Sequence, residues 1–454
     1  MRILIAVHGY PPTHTGGAER RSQRTARYLS AHGDTVRVIA IEAVEAGEPE
    51  TRHEDSNDAG VQLRRLWIGS NCTTDPFVES WDNPLTARAL DDAIREERPD
   101  VLHLFSGYLM SASVVRVARQ HDIPIVVSLT DYWWLCHRIT LICTDGSRCD
   151  GPSPVGCARC HAETRRRYRN PATVAPMLAN VGWNAAGRWP VLGDRLGIPQ
   201  QVDRATALRE LLASADTLIA PSQYLADIYT QHGFGFGSIV VSRQGVDVDR
   251  CPIRRESAEL RVGYLGQIKP HKGVDLLLTA WGELAGDRPR RLTLFGSSAG
   301  EPAYGERIRR MCNALPDVNW AGEFKGASVW DVLADLDVVV VPSRWVENSP
   351  NVILEAQAVG VPVVGSQLGG VGELVRHGVN GLTFGVDDAV DLAHQLQRLL
   401  DEHGLLTTLR RHPIPFRTVD DEMGQLRLLY QKSIERKRQR TTAERPVTVG
   451  PLES

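Results

Sequence analysis

The chain has almost no charge of one sign to spare: 52 Lys and Arg stand against 55 Asp and Glu, a formal net charge of -3. No global basic field therefore recruits nucleic acid or an anionic membrane, and any polyanion site must be local. Long hydrophobic runs are also lacking. No stretch approaches the ~20 apolar residues that span a bilayer. The first apolar run, Ile3 to Val7, meets His8, Gly9 and Tyr10 before reaching the ~7–15 residues of a signal-peptide core. A soluble protein of the cytoplasm, without a transmembrane segment, is expected. Repeats of solenoid period and low-complexity tracts are absent, and no Ser, His and acidic residues form a recognisable nucleophilic set.

What is present is a long chain of ordinary globular balance. Its 454 residues are 42% hydrophobic and 24% charged, enough for two large or three ordinary domains of ~150 residues. Apolar, β-branched runs bounded by Gly, Ser or Pro recur at Ile3 to Val7, Val36 to Ile41, Val101 to Leu104, Ile125 to Leu129, Leu218 to Ala220 and Ile239 to Val241. Helix-like segments such as Arg20 to Leu29 and Ala112 to Arg119 lie between them. Strand and helix in alternation is what a parallel sheet with crossover helices requires. The pattern restarts beyond Arg250 to Glu259: Val262 to Leu265, Leu292 to Phe295, Val338 to Val341 and Val363 to Val364 alternate with Val274 to Leu284, Tyr304 to Cys312 and Asn351 to Val359. The expected fold class is α/β with two doubly wound, Rossmann-like domains, residues 1–250 and 259–412, facing each other across a cleft that holds the site. Residues 131–202 break the alternation and read as an insertion over that cleft. A last helix in 413–435 should pack back on the first domain, and 436–454, with little to bury, should be a disordered tail.

The densest chemistry follows the strand Val338 to Val341, in Ser343-Arg344-Trp345-Val346-Glu347-Asn348-Ser349-Pro350-Asn351 and on to Glu355. Ser349 is a good N-cap and Pro350 a good first helical residue, so a helix should start here with its positive end facing the loop. Glu347 then sits in the loop and Glu355 about one and a half turns into the helix. Backbone N–H groups near Asn351 can donate to hydroxyls or phosphate oxygens.

These residues resemble the Glu-x7-Glu motif of the retaining glycosyltransferases of family 4, which have the GT-B architecture. Gly16-Gly17-Ala18-Glu19-Arg20 resembles the family's N-terminal glycine-rich loop, and Gly263-Tyr264-Leu265-Gly266 with Lys272-Gly273 its donor-phosphate segment. Leu294-Phe295-Gly296, Gly322-Glu323-Phe324, Gly365 to Glu373 and Gly378-Val379-Asn380-Gly381 are similar to further family stretches. The resemblance implies a hexosyltransferase type of enzyme with a UDP- or GDP-type sugar donor and a hydroxyl-bearing acceptor: a polysaccharide, a lipid-linked sugar or a small metabolite. By it, Glu355 accepts from the ribose hydroxyls, Glu347 with Asn348, Ser349, Pro350 and Asn351 holds the sugar, and Lys272 contacts the pyrophosphate. Gly16, Gly17, Gly266, Gln267, Gly296 and Phe324 line the donor, and Asp131 reaches acceptor or sugar hydroxyls or else caps the following turn. The resemblance implies no cofactor for the chemistry, because the departing phosphate itself assists the acceptor's deprotonation.

Two positions depart from the family. Gln267 stands where an arginine usually follows the glycine, with Lys269, Arg243 or Arg344 as candidate substitutes, and Thr130 and Asp131 stand where many members carry a histidine. His103 matches another family position and reads equally as a satisfied core histidine. These losses keep one alternative open, a catalytically weak nucleotide-sugar-binding partner subunit, and a different reaction on the same fold, a sugar-nucleotide epimerase, is a second.

The cysteines are crowded as Cys136-x12-Cys149-x7-Cys157-x2-Cys160, with Cys143 besides. In a reducing compartment such a set suits a structural tetrahedral zinc, with buried thiols, a disulfide or an iron–sulfur cluster as alternatives. A subset of family 4 has a similar cluster in its N-terminal domain. The arginines of Arg165 to Arg169 could face an anionic acceptor and those of Arg436 to Arg440 acidic headgroups, a peripheral membrane contact, although charge runs are more often solvated faces. Core packing of the insertion is the expectation for Trp133, Trp134 and Trp183.

Overall fold

The computed structural model describes residues 1–46, 50–70, 75–235, 239–247, 255–323, 329–411 and 416–443. The chain forms two compact units, one of Met1–Ala220, Ile228–Val241 and the chain from Met423, the other of Pro221–Asp227 and Ser242–Glu422.

The first unit is built on eight strands: β1 (Arg2–Val7), β2 (Thr35–Ala46), β3 (Arg52–Asp58), β4 (Val61–Ser70), β5 (Val101–Phe105), β6 (Ile125–Ser128), β7 (Thr217–Ala220) and β8 (Val240–Val241). They lie in the order β3-β4-β2-β1-β5-β6-β7-β8. All neighbours are parallel except β3 and β4. The central strands are buried on both faces, which is why they read as continuous apolar runs in the sequence. The β3–β4 hairpin escaped sequence reading because Arg-His-Glu-Asp-Ser-Asn-Asp offers no apolar alternation. Its turn fixes it instead: Ala59 and Gly60 both take positive φ, 53° and 89°, as a two-residue type I′ loop requires. Bidentate pairing of Arg64 with Asp55, at 2.8 and 2.9 Å, ties the pair of strands together.

His103 on β5 is the satisfied core histidine. It is buried between the Tyr430 hydroxyl, 2.6 Å from Nδ1, and Ser128 Oγ, 2.8 Å from Nε2, and burial holds its pKa well below the ordinary value. The interruption between β6 and β7 carries no strand of its own. Its helices are Pro154–Ala162, Arg166–Val174, Pro176–Ala186, Pro190–Arg195 and Ile198–Ala213. Trp183 packs with Ala158 and Ala162 in a small local core, and Trp133 and Trp134 are buried in the unit.

The second unit holds β9 (Leu260–Leu265), β10 (Arg290–Phe295), β11 (Val318–Gly322), β12 (Val338–Val341), β13 (Val363–Ser366) and β14 (Gly381–Phe384). The order β11-β10-β9-β12-β13-β14 is parallel throughout. This is a doubly wound sheet whose strand order reverses between β9 and β12, where such sheets bind ligands. Beneath it the helix Val274–Gly282 is apolar nearly all round and buried accordingly.

The last helix corrects one expectation. It runs from Val419 to Ala443, so residues 436–443 of the expected disordered tail are helical, and 444–454 lie outside the described residues. The helix belongs to the first unit from Met423. Met423 and Tyr430 are buried, and Lys437 pairs with Asp122 at 2.5 Å, so the charged stretch continues a helix already anchored.

Trp281 is 1% exposed and donates through Nε1 to Asp317 at 3.0 Å. Trp281→Ala should destabilise the second unit by about 3–5 kcal/mol, read as a lower denaturation midpoint in urea followed by circular dichroism.

Candidate active site

In the second unit the site forms where the sheet reverses. The β9 and β10 strands end in Gly266 and Gly296, and their loops approach so closely that a Cβ on Gly296 would lie 1.8 Å from the Gly266 carbonyl oxygen. Only glycine permits that contact. Beyond β9 the chain makes a turn at Pro270–Lys272 and then Gly273, at φ 72°, where a Cβ would sit 2.0 Å from the Pro342 carbonyl oxygen. This draws Lys272 onto the loop after β12.

There Lys272 Nζ meets Glu347 Oε1 at 2.6 Å, and the same oxygen accepts from Ser343 Oγ at 2.8 Å. Glu347 sits in the loop, as expected, and is buried there. Burial alone would raise its pKa, but the charge and hydrogen bond of Lys272 outweigh that and hold the carboxyl below its ordinary value. Lys272 also lies 4.8 Å from the centre of the Trp345 ring, and burial beside the Lys272 cation lowers the neighbouring His271 to about 4. Gly370 N donates to the Glu347 carbonyl at 2.7 Å and fixes the loop from behind.

The helix after this loop is Asn351–Ala358, with Pro350 at its cap position. Ser349 therefore does not cap it, contrary to expectation, because the chain turns into helical conformation one residue later. Ser349 Oγ is left buried without a hydrogen-bond partner among the described residues. Glu355, half-buried, lies one turn into the helix. Lys272, Glu347, Ser349, Asn351 and Glu355 thus come from two adjoining loops and one short helix, with Gly266 and Gly296 at the neighbouring strand ends. Gln267 is exposed. Of the cations considered in place of the arginine missing there, Arg344 is held by Asp275 at 2.6 Å and Asp387 at 2.5 Å, and Arg243 by Glu373 at 2.5 Å. Lys269 has no ion pair among the described residues. Phe324 lies outside the described residues.

The other candidates belong to the first unit, at the carboxyl ends of β1, β5 and β6, again at a reversal of strand order. Gly16 precedes the helix Gly17–Ala31, and a Cβ there would fall 2.4 Å from Glu19 Oε2, whereas one on Gly17 would meet open space. Asp131 behaves as a cap: it accepts from Trp133 N at 2.8 Å, Ser106 Oγ at 2.6 Å and Thr130 Oγ1 at 3.3 Å. Sequence reading missed His8, whose Nε2 lies 3.3 Å from Glu19 Oε1. Burial pulls its pKa down, and the hydrogen bond and charge of Glu19, with the charge of Asp131, raise it above the ordinary imidazole value. The available signal was a histidine directly after the first strand and ahead of Gly-Gly-x-Glu. Ser106 holds a positive φ of 70°, a strained backbone of the kind that gathers at functional loops.

The insertion brings Cys136, Cys143, Cys149, Cys157 and Cys160 to one cavity of about 400 Å³, with His137 and His232. All five are free thiols, and burial pushes Cys149 up to about 11 and Cys160 up to about 12. The donor chemistry suits a thiophilic metal, but the positions do not: among the described residues no three Cys, His, Asp or Glu lie close enough together to hold one ion.

Comparison with known proteins covers both units. Residues 16–245 match the family model described as glycosyl transferase 4-like domain, and residues 259–402 the one described as glycosyl transferases group 1. The chain is 24% identical over 422 residues to a glycogen synthase of Mycobacterium tuberculosis, covering 88% of this chain and 86% of that protein. It is 24% identical over 400 residues to a GDP-mannose-dependent alpha-mannosyltransferase of Corynebacterium glutamicum, covering 86% and 78%. Its fold matches the Anabaena HepE structure in complex with UDP and glucose at a TM-score of 0.60 and 16% identity, over 98% of this chain and 100% of that one. The architecture is GT-B, two parallel-sheet α/β units.

Lys272→Met strips a buried carboxylate of its cation and should cost about 3–5 kcal/mol. Because the folded-state pKa of Glu347 is depressed, its contribution to stability is present above the unfolded value of about 4.3 and is lost as pH falls through the folded one. Glu347→Gln should therefore show a shallower loss of stability than the wild type on acidification below about pH 4.3, read from urea denaturation at a series of pH values.

Proposed function

Because the chain belongs to the group 1, family 4-like glycosyltransferases, we propose that it moves a hexose from a nucleoside diphosphate sugar to a hydroxyl of its acceptor with retention of anomeric configuration. The observation that carries this reading is the Lys272–Glu347 pair at the reversal point of the second sheet, 2.6 Å long, beside a helix start whose N–H groups favour anions. In the proposed reaction Lys272 and those N–H groups stabilise the pyrophosphate as the C1–oxygen bond to it breaks. The acceptor oxygen bonds to C1 from the same face and its proton passes to a departing phosphate oxygen. Glu347 holds sugar hydroxyls once Lys272 shares its charge with the phosphate, and Glu355 accepts from the ribose. Asp131, with His8 beside it, serves acceptor hydroxyls in the first unit. A UDP- or GDP-type donor is in keeping with the relatives, one named for GDP-mannose and one solved structure holding UDP and glucose.

Binding of UDP, GDP, ADP and dTDP by calorimetry or thermal shift tests the donor site. One of them should stabilise the wild type by about 2.7 kcal/mol at a hundredfold excess over Kd, and Glu355→Ala should abolish the effect. Binding of none, or equal binding by Glu355→Ala, overturns this donor site.

We also place the chain in the subset with an N-terminal cysteine cluster and propose a structural zinc on Cys136, Cys149, Cys157 and Cys160. Five free thiols at one cavity support it, and closing the set around an ion requires the cysteines to move together. Four thiolates would leave no open position, so the metal would order the insertion and take no part in transfer. Metal analysis of the purified protein should find close to one equivalent of zinc, and less than about half an equivalent overturns the assignment.

A further inference from the structure

The insertion in the first unit has a face that the donor reading does not use. The helix Arg166–Val174 buries none of its residues. The next helix, Pro176–Ala186, turns Trp183 and Ala186 inward and leaves Met177, Leu178 and Val181 outward on the opposite side, as their i, i+1 and i+4 spacing dictates. With Val174, Trp189 and Val191 they are between 67% and 85% exposed. Elsewhere among the described residues, exposed large apolar side chains occur singly along the chain. Six within eighteen residues of sequence are not the scattered exposure of an ordinary surface.

The charge around these side chains is of one sign. From Thr164 to Gly193 there is no Asp or Glu, while Arg165, Arg166, Arg167, Arg169 and Arg188 all lie in the stretch. All five are exposed, and among the described residues none has a carboxylate partner. A chain with a net charge of -3 has thus gathered a local excess of five cations around its exposed apolar side chains. An apolar stripe with a tryptophan, bordered by arginines, fits the boundary between acyl chains and anionic headgroups, where a helix lies in the plane of the interface. No helix among the described residues is long and apolar enough to cross a membrane, so the fit is to a surface.

We propose that the face formed by residues 165–191 docks on an anionic lipid bilayer, the apolar side chains entering the headgroup region and the arginines pairing with lipid phosphates. This stands apart from the donor reading, since no residue of the face belongs to that site.

The test is co-sedimentation of the full-length protein with vesicles of phosphatidylcholine alone and of phosphatidylcholine mixed with phosphatidylglycerol. Wild type should pellet with the mixed vesicles only, and less so at high salt. Changing Arg165, Arg166, Arg167 and Arg169 together to Gln should weaken binding by more than about tenfold. Leu178→Ser combined with Val181→Ser should weaken it comparably, with melting temperature and nucleotide binding kept at the wild-type level. Failure to bind the mixed vesicles overturns the proposal, as does equal binding to both kinds. So does a wild-type dimer in sedimentation velocity that Leu178→Ser with Val181→Ser converts to monomer, since a second copy would then cover the face.

Discussion

A buried carboxylate must find a cation, and in this protein that requirement organises the second unit. Glu347 is out of water in the loop after β12, and Lys272 reaches it only because the chain beyond β9 turns back at Gly273. The turn in turn depends on a residue without a Cβ, packed against the Pro342 carbonyl. The ion pair therefore couples two loops that belong to the two strands flanking the reversal point. It also holds both charges at the reversal point of the sheet. Each charge satisfies the other, so neither is left unpaired out of water.

The first unit solves a similar problem with different residues. Its strand order also reverses, between β1 and β5, and His8, Glu19, Ser106 and Asp131 collect there. The imidazole sits between carboxylates that favour its charged form against burial. Glu19 in turn lies so near Gly16 that the glycine is a packing requirement, whereas Gly17 is not. The family's histidine is missing from the end of β6, yet a histidine stands at the end of β1.

The insertion divides its apolar residues in two. Some are buried, Trp133 and Trp134 in the unit and Trp183 with Ala158 and Ala162 in a small local core, and the arginine-bordered set is exposed. The insertion's cysteines face a shared cavity. The same composition that reads as a loop-rich interruption along the chain becomes, once folded, an inner thiol-lined side and an outer apolar and basic side.

The sequence by itself determined the two doubly wound sheets, because central parallel strands are buried on both faces and so are written as unbroken apolar runs between helices. It also marked Glu347, Glu355 and Lys272 as candidates, because the motifs around them resemble those of a known family. It did not mark the β3–β4 hairpin, whose polar strand is held by its partner and its turn, nor the length of the final helix, which anchoring by Tyr430 and Lys437 carries past the apolar pattern. Ser349 looked like a cap, but capping depends on where φ and ψ become helical, and that was decided one residue later by the path of the loop. Only the tertiary structure brought Lys272 to Glu347, 75 residues on, and His8 to Glu19 and Asp131. It alone showed which residues of the insertion face water, because pairing and burial between distant residues follow from packing and not from local pattern.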